Sequence, residues 1–335
     1  MKRKLLTYLA CPRCRLPFTL SVQQEEGEEI LEGALDCASC SARFPILRGI
    51  PRFLPPDLSA EKQATAAAFG YEWTHYSEIT EADREEFLDW IRPLTAADFA
   101  GKVVLDGGCG KGRHIFQVAR FGAADVIGID LSDAVEAAYP NTRHLPNAHV
   151  IQADIYNLPF LTPFDLAYSI GVIHHLPDPK QGFLSLVKHV KPGGRASLWV
   201  YGKEGNAWIE NLVDPIRIHV TSRLPKFLTQ VISFFVSLPL YLALKLLYGP
   251  AERRPGLAWL KRRLPYSGYL CAISGYSFAE NMWNVFDQLV APTANYISEA
   301  EMKDWLATAK LEQPQISQRN NNSWRGTGVK PRETF

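Results

Sequence analysis

From residue 102 onward, short apolar runs rich in Val, Ile and Leu alternate with stretches whose apolar residues recur at helical spacing. This alternation predicts helices that separate buried strands at 103–105, 125–129, 149–152, 166–169 and 196–200. Parallel strands need long crossover connections, and helices of this length provide them. The pattern therefore predicts an α/β fold with a mostly parallel sheet.

Two regions flanking this alternation have a different pattern. Residues 60–92 are predicted to be helical and acidic, and the helix should end at Pro93 because proline cannot continue it. Residues 203–296 are mostly helical and rich in aromatic side chains, and the α/β pattern resumes with a helix over 298–309. The long helical stretch is thus predicted to be an insertion within the α/β fold.

Composition narrows the class of protein. The chain has 335 residues, of which 47% are hydrophobic and 21% charged, a mixture that excludes a disordered chain or a fibre. At ~150 residues per domain, this length predicts about two domains. The net charge of +1 argues against an overall electrostatic attraction to nucleic acid. The apolar stretch after the basic start, residues 5–10, is too short for a secretory signal, so we expect a cytoplasmic protein.

A glycine-rich turn follows the first predicted strand. Gly108, Gly110 and Gly112 allow positive φ angles and let the backbone approach a ligand closely. Asp106 precedes them at a position where it would repel a pyrophosphate and would suit a cation such as an α-ammonium group. Asp130 ends the next strand, where an acidic residue can bond ribose hydroxyls. These residues favour an amino-acid-bearing nucleoside over a dinucleotide as the ligand.

Five short motifs then occur in a fixed order over about 100 residues. They are Val-Leu-Asp-Gly-Gly-Cys-Gly-Lys-Gly (104–112), Ile-Gly-Ile-Asp (127–130), Gln-Ala-Asp (152–154) with Leu-Pro-Phe (158–160), Ser-Ile-Gly-Val-Ile-His-His-Leu-Pro-Asp-Pro (169–179) and Lys-Pro-Gly-Gly (191–194). With these motifs the chain resembles the class I S-adenosylmethionine-dependent methyltransferases, in particular the type 11 and quinone-biosynthesis members. The resemblance implies a Rossmann-like sheet of seven mostly parallel strands, the last one antiparallel.

The same resemblance implies a set of contacts to S-adenosylmethionine. Asp106 and the glycine loop would hold the methionine part, Asp130 the ribose, and Asp154 the adenine amino group, with Ser169 and its neighbours near the sulfonium. The full set of implied cofactor-binding residues is Asp106, Gly108, Gly110, Gly112, Asp130, Leu131, Asp154, Ile155, Ser169 and Ile170. Two plainer interpretations stay open: the glycines could form only a tight turn, and Asp154 could cap a helix.

Four of the six cysteines form two Cys-x-x-Cys pairs near the start of the chain. These are Cys11 with Cys14, and Cys37 with Cys40. Four thiolates at this spacing favour a closed, tetrahedral structural zinc site. The alternative is a pair of redox motifs, but the βαβ pattern expected around such a motif is absent from the surrounding sequence. The segment is similar to the zinc-ribbon activator domains that accompany some tRNA methyltransferases, so we expect a stabilising or partner-docking module.

His174 and His175 follow the fourth predicted strand of the α/β block, at the sheet edge where open α/β folds bind ligands. Either could act as a general base near neutral pH if the acceptor must lose a proton. The alternative is that both pack the loop and hydrogen-bond to backbone. Similar alternatives hold for Tyr71, Trp73 and Tyr76, which either cover the pocket or pack, and for 319–325, which either lines the acceptor side or turns a hairpin.

The insertion contains an uncharged apolar run over 227–244. A single membrane span there would place two parts of one sheet on opposite sides of the bilayer. Their strands could then not pair, so we exclude a single span. Gln230, Ser233, Ser237, Tyr241 and Lys245 give a polar stripe at helical spacing, and residues 203–268 hold ten Lys or Arg against four Asp or Glu. The stretch therefore fits a lid over an apolar acceptor or a peripheral membrane contact through 203–268, with a helical cap or dimer contact as the alternative.

These observations combine into one prediction of organisation and function. The predicted segments are a zinc ribbon (1–55), a helical linker and cofactor cap (56–101), the cofactor-binding core (102–202), a helical lid (203–296) and the end of the sheet (297–335). We expect an S-adenosylmethionine-dependent methyltransferase that contains structural zinc and acts on a small, partly apolar, lipid- or quinone-like acceptor, with nucleic acid an improbable partner. The alternatives are an RNA methyltransferase with a zinc-ribbon recognition module and a non-catalytic cofactor-binding protein that docks a partner.

Overall fold

An eleven-stranded sheet runs through the whole computed structural model, which describes residues 1–332. Residues 333–335, the end of the predicted segment 297–335, lie outside the described part of the chain. The strands are β1 (Thr19–Glu26), β2 (Glu29–Asp36), β3 (Arg43–Leu47), β4 (Ile50–Phe53), β5 (Val103–Gly107), β6 (Asp125–Asp130), β7 (Ala148–Ala153), β8 (Phe164–Ile170), β9 (Val190–Tyr201), β10 (Glu312–Arg319) and β11 (Ser323–Val329).

Helices cover the faces of the sheet and fill the insertion. The α-helices are α1 (Ala60–His75), α2 (Ala82–Trp90), α3 (Arg113–Arg120), α4 (Val135–Thr142), α5 (Pro179–Lys188), α6 (Asp214–His219), α7 (Lys226–Ala243), α8 (Gly249–Arg253), α9 (Ala258–Arg263), α10 (Ser267–Ala272), α11 (Phe278–Val290) and α12 (Glu299–Thr308). Two π-helical turns, Ile209–Val213 and Leu244–Tyr248, continue directly into α6 and α8. Short 3₁₀ turns occur at Arg3–Thr7, Ala96–Phe99, Ile173–His175, Thr221–Arg223, Pro255–Leu257 and Ile273–Gly275.

Seven of the strands form the sheet that the sequence predicts. Their order is β7-β6-β5-β8-β9-β11-β10, in which β5 to β9 pair in parallel and β11 pairs antiparallel with both of its neighbours. The predicted Rossmann-like sheet with an antiparallel last strand is therefore confirmed. Because β6 and β8 lie on either side of β5, the order reverses at β5, and the crevice beyond its carboxyl end is where such sheets bind ligands.

Successive residues of β5 face opposite sides of the sheet. Val104 packs in a buried cluster with Phe87 and Phe99, whereas Leu105 belongs to a second cluster on the other face, with Ile127. By the same alternation, the Asp106 side chain belongs on the face of Val104. The strand thus delivers a carboxylate, followed by the glycine turn, to the reversal point of the sheet.

The cysteine-containing segment is joined to the main sheet by its last strand. β4 pairs in parallel with β7, with Arg52 opposite Gln152 and Phe53 opposite Ala153. The Pro-rich stretch 49–56 is predicted to close the zinc-ribbon segment. In the structure, residues 50–53 form a strand that extends the main sheet. A shared apolar cluster contains aromatic residues of this segment and Ile151 of β7, so the two units have a common core.

The Lys-Pro-Gly-Gly motif also differs from its predicted form. Residues 191–194 are predicted to be a turn before the fifth strand, but they lie inside β9, where the pairing with β8 shifts between Phe164 and Leu166. Gly193 adopts φ of +76° and accommodates this irregularity. Glycine at positive φ is shared by turns and β-bulges, so the motif alone does not distinguish them.

One helix in the described range 1–332 is long and apolar enough to cross a membrane. It is the continuous helix Lys226–Arg253, with a mean hydropathy of 1.9 over its most apolar window, of which 22% is buried. Length and composition alone are weak grounds for a span. β9 before the helix pairs with β11 after it, so both flanking segments belong to one sheet, as the sequence argument requires.

Candidate active site

A cavity of about 790 Å³ lies at the carboxyl ends of β5, β6, β7 and β8. The glycine loop and the ends of β6 and β7 form one wall, and α1 lies over it. The insertion and the hairpin between β10 and β11 form the opposite wall, which is rich in aromatic side chains. The cavity is large enough for a nucleoside-sized ligand together with a second molecule.

The glycine loop bends tightly at the floor of this cavity. Gly108 has φ of +94° and Gly110 has φ of +51°, and the amides of Gly108 and Cys109 both donate to the Ile129 carbonyl, at 2.9 and 2.8 Å. A Cβ atom at Gly108 would lie 2.3 Å from Val172, and one at Gly110 would lie 3.3 Å from the Trp73 indole nitrogen. The loop is therefore a tight turn that also forms part of the cavity surface. Side chains at these two glycines would collide with Val172 or crowd Trp73.

Gly112 has a different role from the two glycines before it. It adopts φ of +83° immediately before α3, and an added Cβ would lie 3.1 Å from the Ala138 Cα. Its missing side chain thus permits close packing of α3 against α4. Among the predicted cofactor residues, Gly112 contributes to the site by holding the helix in place.

Asp130 connects the glycine loop to the loop after β6. One carboxylate oxygen accepts from the Gly110 amide at 2.9 Å, and the other accepts from the Ser132 amide and hydroxyl at 2.8 and 2.6 Å. Burial raises the pKa of this carboxyl, while these donors oppose the shift. Asp130 lines the cavity beside Leu131, so its position suits a ligand with vicinal hydroxyls.

Asp106 is fully buried under the loop. It is not among the residues that line the cavity, and the Tyr168 hydroxyl is a polar group that faces its carboxyl. Burial raises the pKa of this carboxyl to about 8, and the nearby Asp130 adds to the rise. A buried carboxyl is costly unless a cation or a donor is near it, so Asp106 fits a role beneath the loop in attracting the α-ammonium end of the implied cofactor, without lining the cavity itself.

Asp154 has a partner that sequence reasoning did not identify. One of its oxygens accepts from the Tyr156 amide at 3.1 Å, and the other accepts from the Lys62 ammonium at 2.6 Å. Lys62 lies on α1 and is distant in sequence from every motif, so no local signal marks it. Asp154 and Ile155 both line the cavity, and Lys62 closes this end of it.

Ser169 and Ile170 are the last two residues of β8, and only Ile170 lines the cavity. The Ser169 hydroxyl is fully buried and donates to the Gly107 carbonyl at 2.6 Å, which ties β8 to the start of the glycine loop. Of this pair, Ile170 has its side chain at the surface that a ligand would contact.

The two histidines occupy different environments. His175 lines the cavity, and its Nδ1 lies 2.6 Å from the Thr293 carbonyl, which can only accept. Nδ1 therefore carries the proton in the neutral ring, and Nε2 is left as an acceptor. Burial lowers the pKa of His175 to about 4. His174 is fully buried, and its ring packs 4.0 Å from the ring of Tyr201.

A polar cluster on the acceptor side was not predicted from the sequence. The Tyr201 hydroxyl donates to Asp287 at 3.2 Å and accepts from the Gln288 amide at 2.8 Å. Burial raises the pKa of Asp287 to about 6 and raises that of Glu72, a second carboxyl in the wall. These residues come from β9, α11 and α1, so only the tertiary structure brings them together.

The open alternatives for the aromatic and asparagine-rich segments are also resolved by position. Trp73 of α1 and Tyr76, which directly follows α1, line the cavity, whereas the ring of Tyr71 stacks on the ring of His75 at 3.8 Å. The 319–325 segment turns the β10–β11 hairpin, and Arg319 and Asn322 within it line the cavity. This segment thus fulfils both of its predicted roles.

The four cysteines of the two pairs converge on one point. Cys11 and Cys40 have sulfurs 3.5 Å apart, Cys14 and Cys37 have sulfurs 3.3 Å apart, and all four lie within 4.8 Å of one another. Tetrahedral zinc with bonds of about 2.3 Å separates its sulfur ligands by about 3.8 Å, close to these values. The predicted four-cysteine zinc site therefore has the donor set and the spacing it needs.

Comparison with known families identifies the centre of the chain. The family model described as "Methyltransferase domain" matches residues 104–194, which span β5 to the start of β9. This match, together with the strand order, confirms the predicted S-adenosylmethionine-dependent methyltransferase class for this part of the chain.

Curated relatives include proteins named tRNA U34 carboxymethyltransferase. That of Sodalis glossinidius (strain morsitans) is 28% identical over 179 residues, covering 50% of this chain and 55% of the relative. That of Pseudoalteromonas translucida (strain TAC 125) is 33% identical over 137 residues, covering 38% of this chain and 41% of the relative. The chain spans about half the length of the curated relatives it matches.

A solved structure with a similar extent is magnesium protoporphyrin IX methyltransferase from Synechocystis PCC 6803 with bound S-adenosylmethionine. It is 13% identical, has a TM-score of 0.45, and the match covers 82% of this chain and 99% of that chain. At this level of similarity, the description of the fold continues to rest on the strand order given above.

The prediction of the acceptor and partner is wrong. A small molecule is expected from the sequence, with nucleic acid improbable, whereas the curated relatives carry tRNA in their names. That expectation rests on the resemblance to quinone-biosynthesis members and on the net charge of +1, which averages over the whole surface. The net charge of a protein indicates its non-specific attraction to nucleic acid, but it does not describe the local structure of a binding site.

Proposed function

Since residues 104–194 are a methyltransferase domain, we propose that the protein transfers a methyl group from S-adenosylmethionine to an RNA. The observation that carries the cofactor assignment is the glycine loop, with Asp106 buried beneath it and Asp130 accepting from the Gly110 amide at the cavity wall. The RNA assignment is supported by the names of the relatives, which cover about half of this chain or less. An RNA acceptor also agrees with the cytoplasmic location expected from the sequence.

The residues around the loop match the chemical groups of this cofactor. Asp130 and Asp154 line the cavity and provide carboxylates for the ribose hydroxyls and the adenine amino group, and Asp106, buried beneath the glycine loop, attracts the α-ammonium group from below. When bound, S-adenosylmethionine supplies a sulfonium methyl group that a nucleophile can attack. The role of the chain is to orient the two molecules and to exclude water from between them.

The opposite wall suits a planar acceptor. Aromatic side chains from the insertion line this part of the cavity, among them Tyr269, Tyr276 and Trp283. Enzymes that modify a base draw it out of the stack into a pocket and hold it between aromatic and apolar side chains. The wall thus provides stacking surfaces, and the Tyr201–Asp287 pair provides polar groups for the edge of the base.

His175 is the proposed proton acceptor for a base that must lose a proton. Its Nε2 is unprotonated in the neutral ring, and a pKa of about 4 keeps the ring neutral at physiological pH. His174 is proposed to act through Tyr201, because the two rings are in contact and the Tyr201 amide donates to His174 Nδ1 at 3.4 Å. It is thus a positioning residue.

Replacing Asp130 with asparagine tests the cofactor site. Asparagine keeps one acceptor oxygen for the loop amides but removes the charge, so the affinity for S-adenosylhomocysteine should fall by about ten- to a hundredfold. Isothermal titration calorimetry measures the change. Asp133→Asn, the same substitution at an exposed position three residues along, should leave the affinity unchanged. Equal affinities for wild type and Asp130→Asn would contradict the assignment.

Transfer of tritium from methyl-labelled S-adenosylmethionine to unmodified tRNA tests the acceptor. We expect label in the RNA fraction with the wild type and little with His175→Ala, and nucleoside mass spectrometry then identifies the group added. If the protein binds the cofactor tightly but labels neither tRNA nor total RNA, the RNA assignment is wrong. Absence of transfer to any acceptor would favour the non-catalytic, partner-docking alternative.

A further inference from the structure

Helix α7 has its polar side chains inside and its large apolar side chains outside. Thr229, Ser233 and Ser237 have no exposed surface, and the hydroxyl of Ser233 donates to the Thr229 carbonyl at 2.8 Å. On the opposite side, Phe235 is 64% exposed and Leu242 is 59% exposed. A surface helix in water has the reverse arrangement, with its apolar stripe facing the core.

The insertion carries most of the exposed large apolar side chains of the described chain. Sixteen of the twenty-one exposed large hydrophobic side chains within residues 1–332 fall between Trp208 and Trp259. Exposed apolar patches mark surfaces that contact another molecule or a membrane, because leaving them in water costs free energy. At 1.5 Å per residue, the stretch 227–247 of the helix extends over about 30 Å.

Basic residues surround the apolar face. From 216 to 263 the chain has nine Lys or Arg and one acidic residue, Glu252, which is itself paired with Lys261. The exposed members lie near both ends of the helix: Arg223, Arg253, Arg254, Arg262 and Arg263. Trp259, 50% exposed, lies 5.7 Å from the guanidinium of Arg263.

The apolar face and its basic rim together indicate which kind of molecule binds this surface. A second copy of the chain would bring two positively charged rims together, which opposes self-association. RNA would neutralise the rim but leave the apolar face in water. An anionic lipid surface satisfies both, because the apolar side chains enter the acyl boundary while the arginines contact the headgroups.

The helix must lie along such a surface. The chain before it contains β9 and the chain after it contains β11, which pair with each other, and the helix packs against α11. Ile232, Val236 and Leu240 on that helix also line the cavity, so the helix is a wall between the cavity and the exterior. A helix fixed in this way presents one face to a bilayer without crossing it.

We propose that the outer face of α7 and its arginine rim form a docking surface for anionic membranes. The inference is independent of the acceptor, because it uses only the exposed side chains and charges of the insertion. It assigns the inverted polarity of α7 a function: the small, buried hydroxyl-bearing residues face the protein, and the exposed apolar residues bind lipid.

Co-sedimentation with vesicles tests the docking surface. The wild-type protein should pellet with vesicles of phosphatidylcholine and phosphatidylglycerol, less so as salt is raised, and about tenfold less with phosphatidylcholine alone. Phe235→Ser/Leu242→Ser should lower vesicle binding at least tenfold. Leu161→Ser, at a 55% exposed apolar position outside the insertion, is the matched control and should bind as wild type.

Three results would overturn the proposal. They are no binding of the wild type to anionic vesicles, binding that salt abolishes but the double substitution leaves unchanged, and a dimer in light scattering that the double substitution dissociates. The last result would identify a second copy as the occupant. Retained binding of S-adenosylhomocysteine by the double variant shows that it is folded, and this readout also separates the membrane test from the test of the catalytic function.

Discussion

Replacing Cys37 with serine should remove zinc from the protein and unfold strands β1 to β4. Cys37 provides one of four sulfurs that lie within 4.8 Å of one another, and a segment of about 50 residues that shares its core with the main sheet has little core of its own to keep it folded without the metal. Apparent binding free energies of structural zinc in small domains are about 10–16 kcal/mol, so losing one ligand removes much of the folding free energy. Elemental analysis of the purified protein measures the metal directly.

The loss should extend into the methyltransferase domain. β4 pairs with β7, the Tyr8 hydroxyl donates to Asp125 at 2.5 Å, and the Arg15 guanidinium donates to the Leu158 carbonyl at 2.8 Å. We therefore expect the thermal midpoint of the whole chain to fall by about 5 °C or more. Cys271→Ser, a buried cysteine outside the cluster, is the control for zinc content. Unchanged zinc in the Cys37 variant would contradict the four-sulfur site.

Replacing Asp106 with asparagine should weaken binding of S-adenosylhomocysteine at least tenfold and remove its pH dependence. In the ligand-free protein, burial holds the pKa of Asp106 at about 8, so at pH 7 the carboxyl is mostly protonated. A bound α-ammonium group favours the carboxylate, and wild-type binding should therefore release close to one proton at pH 7 and tighten as the pH rises to about 8. Calorimetry in two buffers of different ionisation enthalpy counts the protons.

The same carboxyl determines a pH dependence of stability. Because its pKa is higher in the folded chain than in the unfolded chain, the folded state binds more protons between pH 4 and pH 8, and stability falls as the pH rises through this range. Asp106→Asn should lose this decline and gain about 2 kcal/mol in free energy of unfolding at pH 8. Asp57→Asn, at an exposed position, should behave as wild type. If the stability of Asp106→Asn still falls between pH 4 and pH 8, another group causes the pH dependence.

The acceptor shows where sequence reasoning failed. The motifs that mark the cofactor site lie within residues 104–194, and all but Lys-Pro-Gly-Gly lie where a strand ends and a turn or helix follows. The acceptor wall is built from the insertion, the β10–β11 hairpin and α1, whose contributing residues, such as Glu72 and Asp287, belong to no motif. The resemblance to quinone-biosynthesis members and the net charge were then the remaining guides, and neither of them describes this wall.

The polarity of α7 shows a different limit. A stripe of polar residues at helical spacing is visible in the sequence, and a stripe of this kind is normally the exposed one. In the structure the stripe faces inward and the apolar residues face outward. Hydrophobic periodicity establishes that a helix has two faces, but which of them is buried depends on the elements that pack against it.

By itself the sequence determined the α/β sheet, the four-cysteine site, the glycine loop and its two aspartates. These features depend on local spacing: strand and helix periods, cysteine separation, and residues that a turn requires. Only the tertiary structure decided that β4 joins the ribbon to the main sheet, that Lys62 meets Asp154 and that Tyr201 meets Asp287. Those contacts join residues about 90 or more positions apart, and their energies depend on burial and distance, which no local pattern encodes.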